Sequence, residues 1–173
     1  MTRLSTLTLA LIAVTTLACG TKTTPSNGTT SNTQFTFTAA IAAGNETTAV
    51  VGETGAAGNA TITLTVVRDG NGNITSGTSN FVVNLTGFPQ TTVFTMAHIH
   101  EGAANVAGPV KVNTALSSSD ITLVNGAGTF TKLTVAVPAD IATNMINNPA
   151  NYYFNIHTAV NGGGVARGQL VKQ

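Results

Sequence analysis

The sequence predicts an all-β protein, a sandwich or barrel of about eight strands with one short helical crossover. Three observations predict it. Charged residues are only 8% of the 173-residue chain while 42% is hydrophobic, ample for one packed core. β-branched Thr and Val fall in short runs separated by Gly and Asn, which suits pleated surfaces joined by tight turns. From Gln34 onward, the apolar pattern has a period of two.

Each element follows from that pattern. The runs "QFTFTAAIA", "NATITLTVV", "SNFVVNLTG", "TTVFTMAHIH", "GPVKVNTAL", "GTFTKLTVAV", "NYYFNIHTA" and "VARGQLVKQ" alternate or stay apolar over strand-like lengths. "RDGNGN", residues 68–73, supplies a hairpin turn in which positive φ is cheap. "VPADIATNMINNPANY" breaks the period. Pro138 and Asp140 can open a helix carrying Ile141 and Met145 on one side, and Pro149 stops it. No repeat of fixed period is present.

The first residues read as an address. Arg3 precedes "LSTLTLALIAVTTLA", an apolar stretch too short and too Thr-rich to span a bilayer, so residues 1–18 are expected to be an export signal. Cys19, the only cysteine, ends that stretch in "TLACG" and excludes an intrachain disulfide. This ending resembles a bacterial lipobox, which implies lipidation of Cys19, although Thr16 departs from the usual Leu. Plain secretion is the alternative. Gly20 is not the Asp of inner-membrane retention, so the resemblance implies the outer membrane or cell surface. Residues 19–33 are Thr-, Ser-, Asn- and Gly-rich and should form a flexible tether, leaving 34–173 as one domain. The five Asn-x-Thr sequons, at Asn27, Asn45, Asn59, Asn73 and Asn84, read as by-products of a Thr-rich composition.

Charge excludes some functions. From Cys19 onward six basic and six acidic residues balance, with no basic patch for nucleic acid. None of Ser117, Ser118 and Ser119 beside Asp120 sits in a nucleophile elbow, and no two carboxylates have a spacing that sets them facing. The glycines at 162–164 follow a strand but open no helix, so they form a hairpin turn and not a phosphate cradle.

The chemistry on offer is histidine. In "MAHIHEG", side chains two apart on a strand point one way, so Phe94, Met96, His98 and His100 are expected on one face. The two histidine Cα atoms then stand about 6.6 Å apart, close enough for both imidazoles to reach one metal ion. His157, in "YYFNIHTAV", shares a face with Tyr153 and Asn155. If the two strands are neighbours, three imidazoles meet and can hold Zn or Cu, with water, Glu101 or Met96 as a fourth ligand. The alternative is three neutral imidazoles hydrogen-bonded to backbone, Asn155 or Thr158.

"AHIHEGAANVAGPVKV" followed by "YYFNIHTAVNGGGVARGQL" resembles the two signatures of the chordin-type (CHRD) domain. His98, His100, Gly108, Pro109, Tyr153, Asn155, His157, Thr158, Gly163, Gly164, Arg167, Gly168 and Gln169 match them, over roughly residues 34–171. Val165 departs where the family commonly has Glu, leaving Arg167 to find another partner, such as Glu101. The resemblance implies an immunoglobulin-like sandwich with no established catalytic activity. The His-x-His strand also resembles that of copper/zinc superoxide dismutase, another eight-stranded sandwich, but three histidines are too few for that enzyme's sites. The sequence thus leads to an exported, lipid-anchored binding or structural module, not an enzyme, with metal binding as the alternative. Its expected partner is an extracytoplasmic protein or glycan, with no nucleic acid, and contact with a membrane is through the lipid alone.

Overall fold

The computed structural model describes residues 30–173, so the predicted export signal, Cys19 and most of the tether lie outside the described residues. Nine strands occur among them: β1 (Ser31–Ala42), β2 (Ala57–Arg68), β3 (Ile74–Thr86), β4 (Phe94–Glu101), β5 (Val110–Asn113), β6 (Gly128–Val137), β7 (Tyr152–Thr158), β8 (Ala166–Gln169) and β9 (Val171–Lys172). All pairings are antiparallel, in the order β5-β4-β7-β8-β1-β2-β3-β6, with β9 also on β1. The sheet curls into a nearly closed barrel or sandwich, as the period-two pattern predicts. The helix α1 (Ala139–Asn147) crosses from β6 to β7, where expected, and buries Ile141, Ala142 and Met145. Among the described residues no helix is long and apolar enough to cross a membrane.

The interior-facing residues of β1 to β3, such as Phe37, Ile62, Leu64 and Phe81, are fully buried, while alternate positions on β3 are exposed. Full burial of a side chain of this size contributes about 1.5–3 kcal/mol, and this half of the sheet carries much of the core. Three expectations change in detail. β1 starts at Ser31, inside the predicted tether, because β2 runs on to Arg68 and pairs with it residue by residue. These first residues are mostly exposed, so no alternation marks them as strand. The last predicted strand divides at Leu170, whose N–H bonds the Tyr152 carbonyl while its side chain enters the core. And Phe94 does not share the histidine face. Thr95 is an extra residue between the pairs Phe94↔Thr158 and Met96↔His157, so the bulge turns Phe94 into the core with Ala97 and Ile99.

β7 positions the site. Every one of its residues is buried, with Phe154 and Ile156 in the core and Tyr153, Asn155 and His157 on the opposite, polar face. An antiparallel strand buried on both faces needs a second cover. Here the cover is three loops: residues 43–56, residues 102–109 and the turn at 159–165.

Candidate metal centre

The β4–β7 pairing brings the three histidines together. His98 lies opposite Asn155, His100 opposite Tyr153, and His157 opposite Met96, so all are on one face. They are 5%, 8% and 5% exposed. His98 Nδ1 is 3.4 Å from His157 Nε2, and the ring centroids are 5.1 to 5.9 Å apart. One ring nitrogen from each residue lies within 4.8 Å of the other two.

Hydrogen bonding sets which nitrogens are free. His100 Nδ1 is 2.9 Å from the Gly108 carbonyl and His157 Nδ1 is 3.0 Å from that of Gly162. A carbonyl only accepts, so both Nδ1 atoms carry the proton and each neutral ring presents its Nε2 lone pair to the pocket. His157 Nε2 can then accept from His98 Nδ1. Among the described residues, His100 Nε2 is buried with no partner. Burial drives all three pKa values down, opposed at His100 and His157 by the carbonyl bonds. His98 falls to about 4 through burial, then the neighbouring His157 and His100. The rings are therefore neutral at pH 7, the form that binds metal.

Around them the matched residues fix the loops. Tyr153 stacks on His100 (centroids 4.9 Å apart, planes 8° apart), and its hydroxyl accepts from the Gly108 N–H. A Cβ on Gly108 would lie 1.6 Å from the Glu101 carbonyl oxygen, so only glycine lets this loop close. Arg167 lies over the Tyr153 ring at 4.6 Å and donates to the Asn45 and Val106 carbonyls.

Arg167 does not take Glu101 as its partner. Glu101 pairs instead with Lys111 at 2.8 Å, both partly exposed, which also turns it away from a role as fourth ligand. Met96 is in register with His157 but 41% exposed. The acid nearest Arg167 is Glu46, at 4.0 Å. Sequence reasoning missed it, because "GNETT" is a turn with no periodic signal and only the pairing of Ala42 with Arg167 brings it near. Val165, where the family commonly has Glu, is buried in the core and not on the Arg167 face. Gly164 at φ +130° turns the chain just before it.

The family model for the CHRD domain matches residues 37–170. The chain belongs to the CHRD domain family. No curated protein and no solved structure matches the chain. Family membership supports, at that level, a non-catalytic binding or structural module. The matched span contains both the His-x-His strand and the His157 strand, so the imidazole cluster is part of the domain itself.

Proposed function

We propose that this CHRD domain is an exported, lipid-anchored extracytoplasmic binding module that holds a Zn or Cu ion on His98, His100 and His157. One observation carries the metal reading: His100 Nε2 is buried and unpartnered among the described residues while the Gly108 carbonyl fixes its Nδ1 proton. A structural histidine has its donors and acceptors met, whereas a ligand commonly bonds a carbonyl through one nitrogen and keeps the other for the ion. The spacing fits. Two imidazole nitrogens on a tetrahedral Zn at about 2.0–2.1 Å stand about 3.3–3.4 Å apart, and His98 and His157 have that separation at 3.4 Å. The third nitrogen, within 4.8 Å, needs a shift of about 1.5 Å or less. Three protein ligands leave one position open.

A second reading has its own support, since the bonds to Gly108 and Gly162 would also serve histidines that only pin loops. Metal content and calorimetry on untagged protein refolded with Zn or Cu separate the two. One equivalent should bind, and His157→Ala should weaken binding at least about 100-fold. Equal stability with and without metal, together with a variant destabilised by about 1–3 kcal/mol, would leave a purely structural role.

The location rests on the lipobox-like "TLACG" and on the position of the site. The described chain enters β1 at Ser31, while the Arg167 pairing is at Ala42. Twelve strand residues span about 40 Å, so the histidine pole is well removed from Ser31, where β1 begins. An extracytoplasmic protein or glycan would then meet the loops of that pole. Replacing Cys19 by Ala should move the protein from the membrane to the soluble fraction. Identical partitioning of the two forms would leave plain secretion.

A further inference from the structure

The polar face holds more unmet hydrogen-bonding capacity than the histidines explain. Among the described residues, Glu46 Oε1, Asn155 Oδ1, His100 Nε2 and Arg167 Nη2 are all buried without a partner. The Glu46 and Arg167 side chains are 4% and 3% exposed, and Asn155 is 3% exposed. Three of these four orphans are acceptors. A buried pocket short of donors is stabilised by a cation or by a water that donates.

Their positions relate them to the histidines. Asn155 lies between His98 on β4 and Arg167 on β8 in the cross-strand register. A Cβ built on Gly164 would stand 2.7 Å from Asn155 Nδ2 and 2.8 and 2.9 Å from the two Glu46 oxygens, so the carboxylate and the amide meet at this glycine. Arg167 does not neutralise Glu46 by hydrogen bonding. Its Nε is 4.0 Å away and already donates to the Asn45 carbonyl at 2.7 Å. Burial correspondingly pushes the Glu46 pKa up to about 7, against the pull of Arg167. Glu46 also lines an open surface cavity with Thr48, Val50 and Thr54, so its carboxylate lies at the edge of solvent-filled space.

Charge balance supplies the reason for a carboxylate here. Three neutral imidazoles bring a divalent ion into a buried pocket with no compensating charge, and Arg167 adds another positive charge nearby. Glu46 is outside the group of nitrogens that share the 4.8 Å spacing, so it stands too far to be a direct ligand as placed. Resting on the three-histidine reading, we infer that Glu46 is the positioning residue that completes the centre, accepting a hydrogen bond from a water on the ion's open position, with Asn155 Oδ1 as the second acceptor. The polar contacts of the metal-bound water then satisfy the two orphaned oxygens, and the ion takes the His100 lone pair.

The test compares Zn2+ affinity, by chelator competition, and the visible spectrum of bound Co2+ in wild type, Glu46→Gln, Glu46→Asp and the surface control Glu101→Gln. Glu46→Gln should bind Zn2+ about 10–100-fold more weakly and alter the Co2+ spectrum. Its metal-free melting temperature should not fall, which a merely structural role would not allow. Glu46→Asp should recover part of the affinity, and Glu101→Gln should match wild type. Unchanged affinity and spectrum in Glu46→Gln, with binding still abolished by His157→Ala, would overturn this inference alone. No uptake of Zn2+ or Co2+ by wild type would overturn the three-histidine reading and this inference with it.

Discussion

At pH 7.5 and a Zn2+ concentration about 100 times its Kd, the protein should gain about 2.7 kcal/mol over the chelator-treated form, a rise of about 8 °C in melting temperature for a domain of this size. This gain should survive to a lower pH than free histidine allows. Protons compete with the ion only where the folded, metal-free imidazoles take them up. His98 is depressed from 6.5 to about 4, and His100 and His157 are lowered as well. The sequence alone sets the loss near pH 6, whereas burial of all three rings moves it to lower pH. The metal-free protein behaves differently in the same window. Between about 6.5 and 4 the unfolded chain protonates its His98 equivalent and the folded chain does not, so His98 subtracts stability as pH falls. Glu46 has the opposite sign. Its folded pKa, raised from 4.5 to about 7, means that the folded state holds the extra proton, so its contribution declines as pH rises from 4.5 to 7, by on the order of 3 kcal/mol. Differential scanning with and without Zn2+ from pH 8 to pH 4 checks both. Absence of any metal-dependent shift, or its loss already at pH 6.5, would contradict the site.

Period two made the strands legible, and it also placed His98 and His100 on one face, because that statement needs no partner strand. What brings in His157 is the antiparallel pairing of β4 with β7 across β5, β6 and α1, a long-range choice that no local pattern encodes. Phe94 was misplaced for a local reason: an extra residue at Thr95 inverts the alternation, and a threonine on a strand carries no bulge signature. Arg167 was legible as a residue in need of a partner, but not its solution. Two of its bonds go to loop carbonyls, and carbonyls have no side-chain identity to read. Glu46 and Glu53 stood in the sequence as two unremarkable turn acids. Only the closure of the 43–56 loop over β7 and β8 makes one a buried orphan near Arg167 and Asn155 and the other a fully bonded anchor.

Glu53→Ala should destabilise the protein by on the order of 4 kcal/mol, and this follows from what the carboxylate does without any cation near hydrogen-bonding range among the described residues. The residue is 3% exposed. Its Oε1 accepts from Thr92 Oγ1 at 2.7 Å, and its Oε2 from Thr158 Oγ1 at 2.5 Å and Asn161 Nδ2 at 2.7 Å. Bonds to an ionised acceptor contribute more than neutral ones, and each donor left buried and unmet costs about 1–3 kcal/mol. The loss would be felt beyond the carboxylate. Asn161 also exchanges two hydrogen bonds with the Val51 backbone and bonds Thr158 Oγ1 through its own N–H, so Glu53 ties the 43–56 loop, the approach to β4 and the end of β7 into one unit. The next residue after Asn161 is Gly162, whose carbonyl holds the His157 Nδ1 proton. Freed of Glu53, that turn loosens and His157 loses its fixed tautomer, so Zn2+ affinity should drop along with stability although no ligand has been touched. Glu53→Gln keeps the shape but one acceptor oxygen in place of two, and should fall between Ala and wild type. Urea midpoints and Zn2+ titrations on the three proteins test this order. A cost below about 1 kcal/mol for Glu53→Ala would mean that water replaces the carboxylate, and the loops over the histidine pole would then be held by the remaining bonds, among them those of Arg167, His100 and His157.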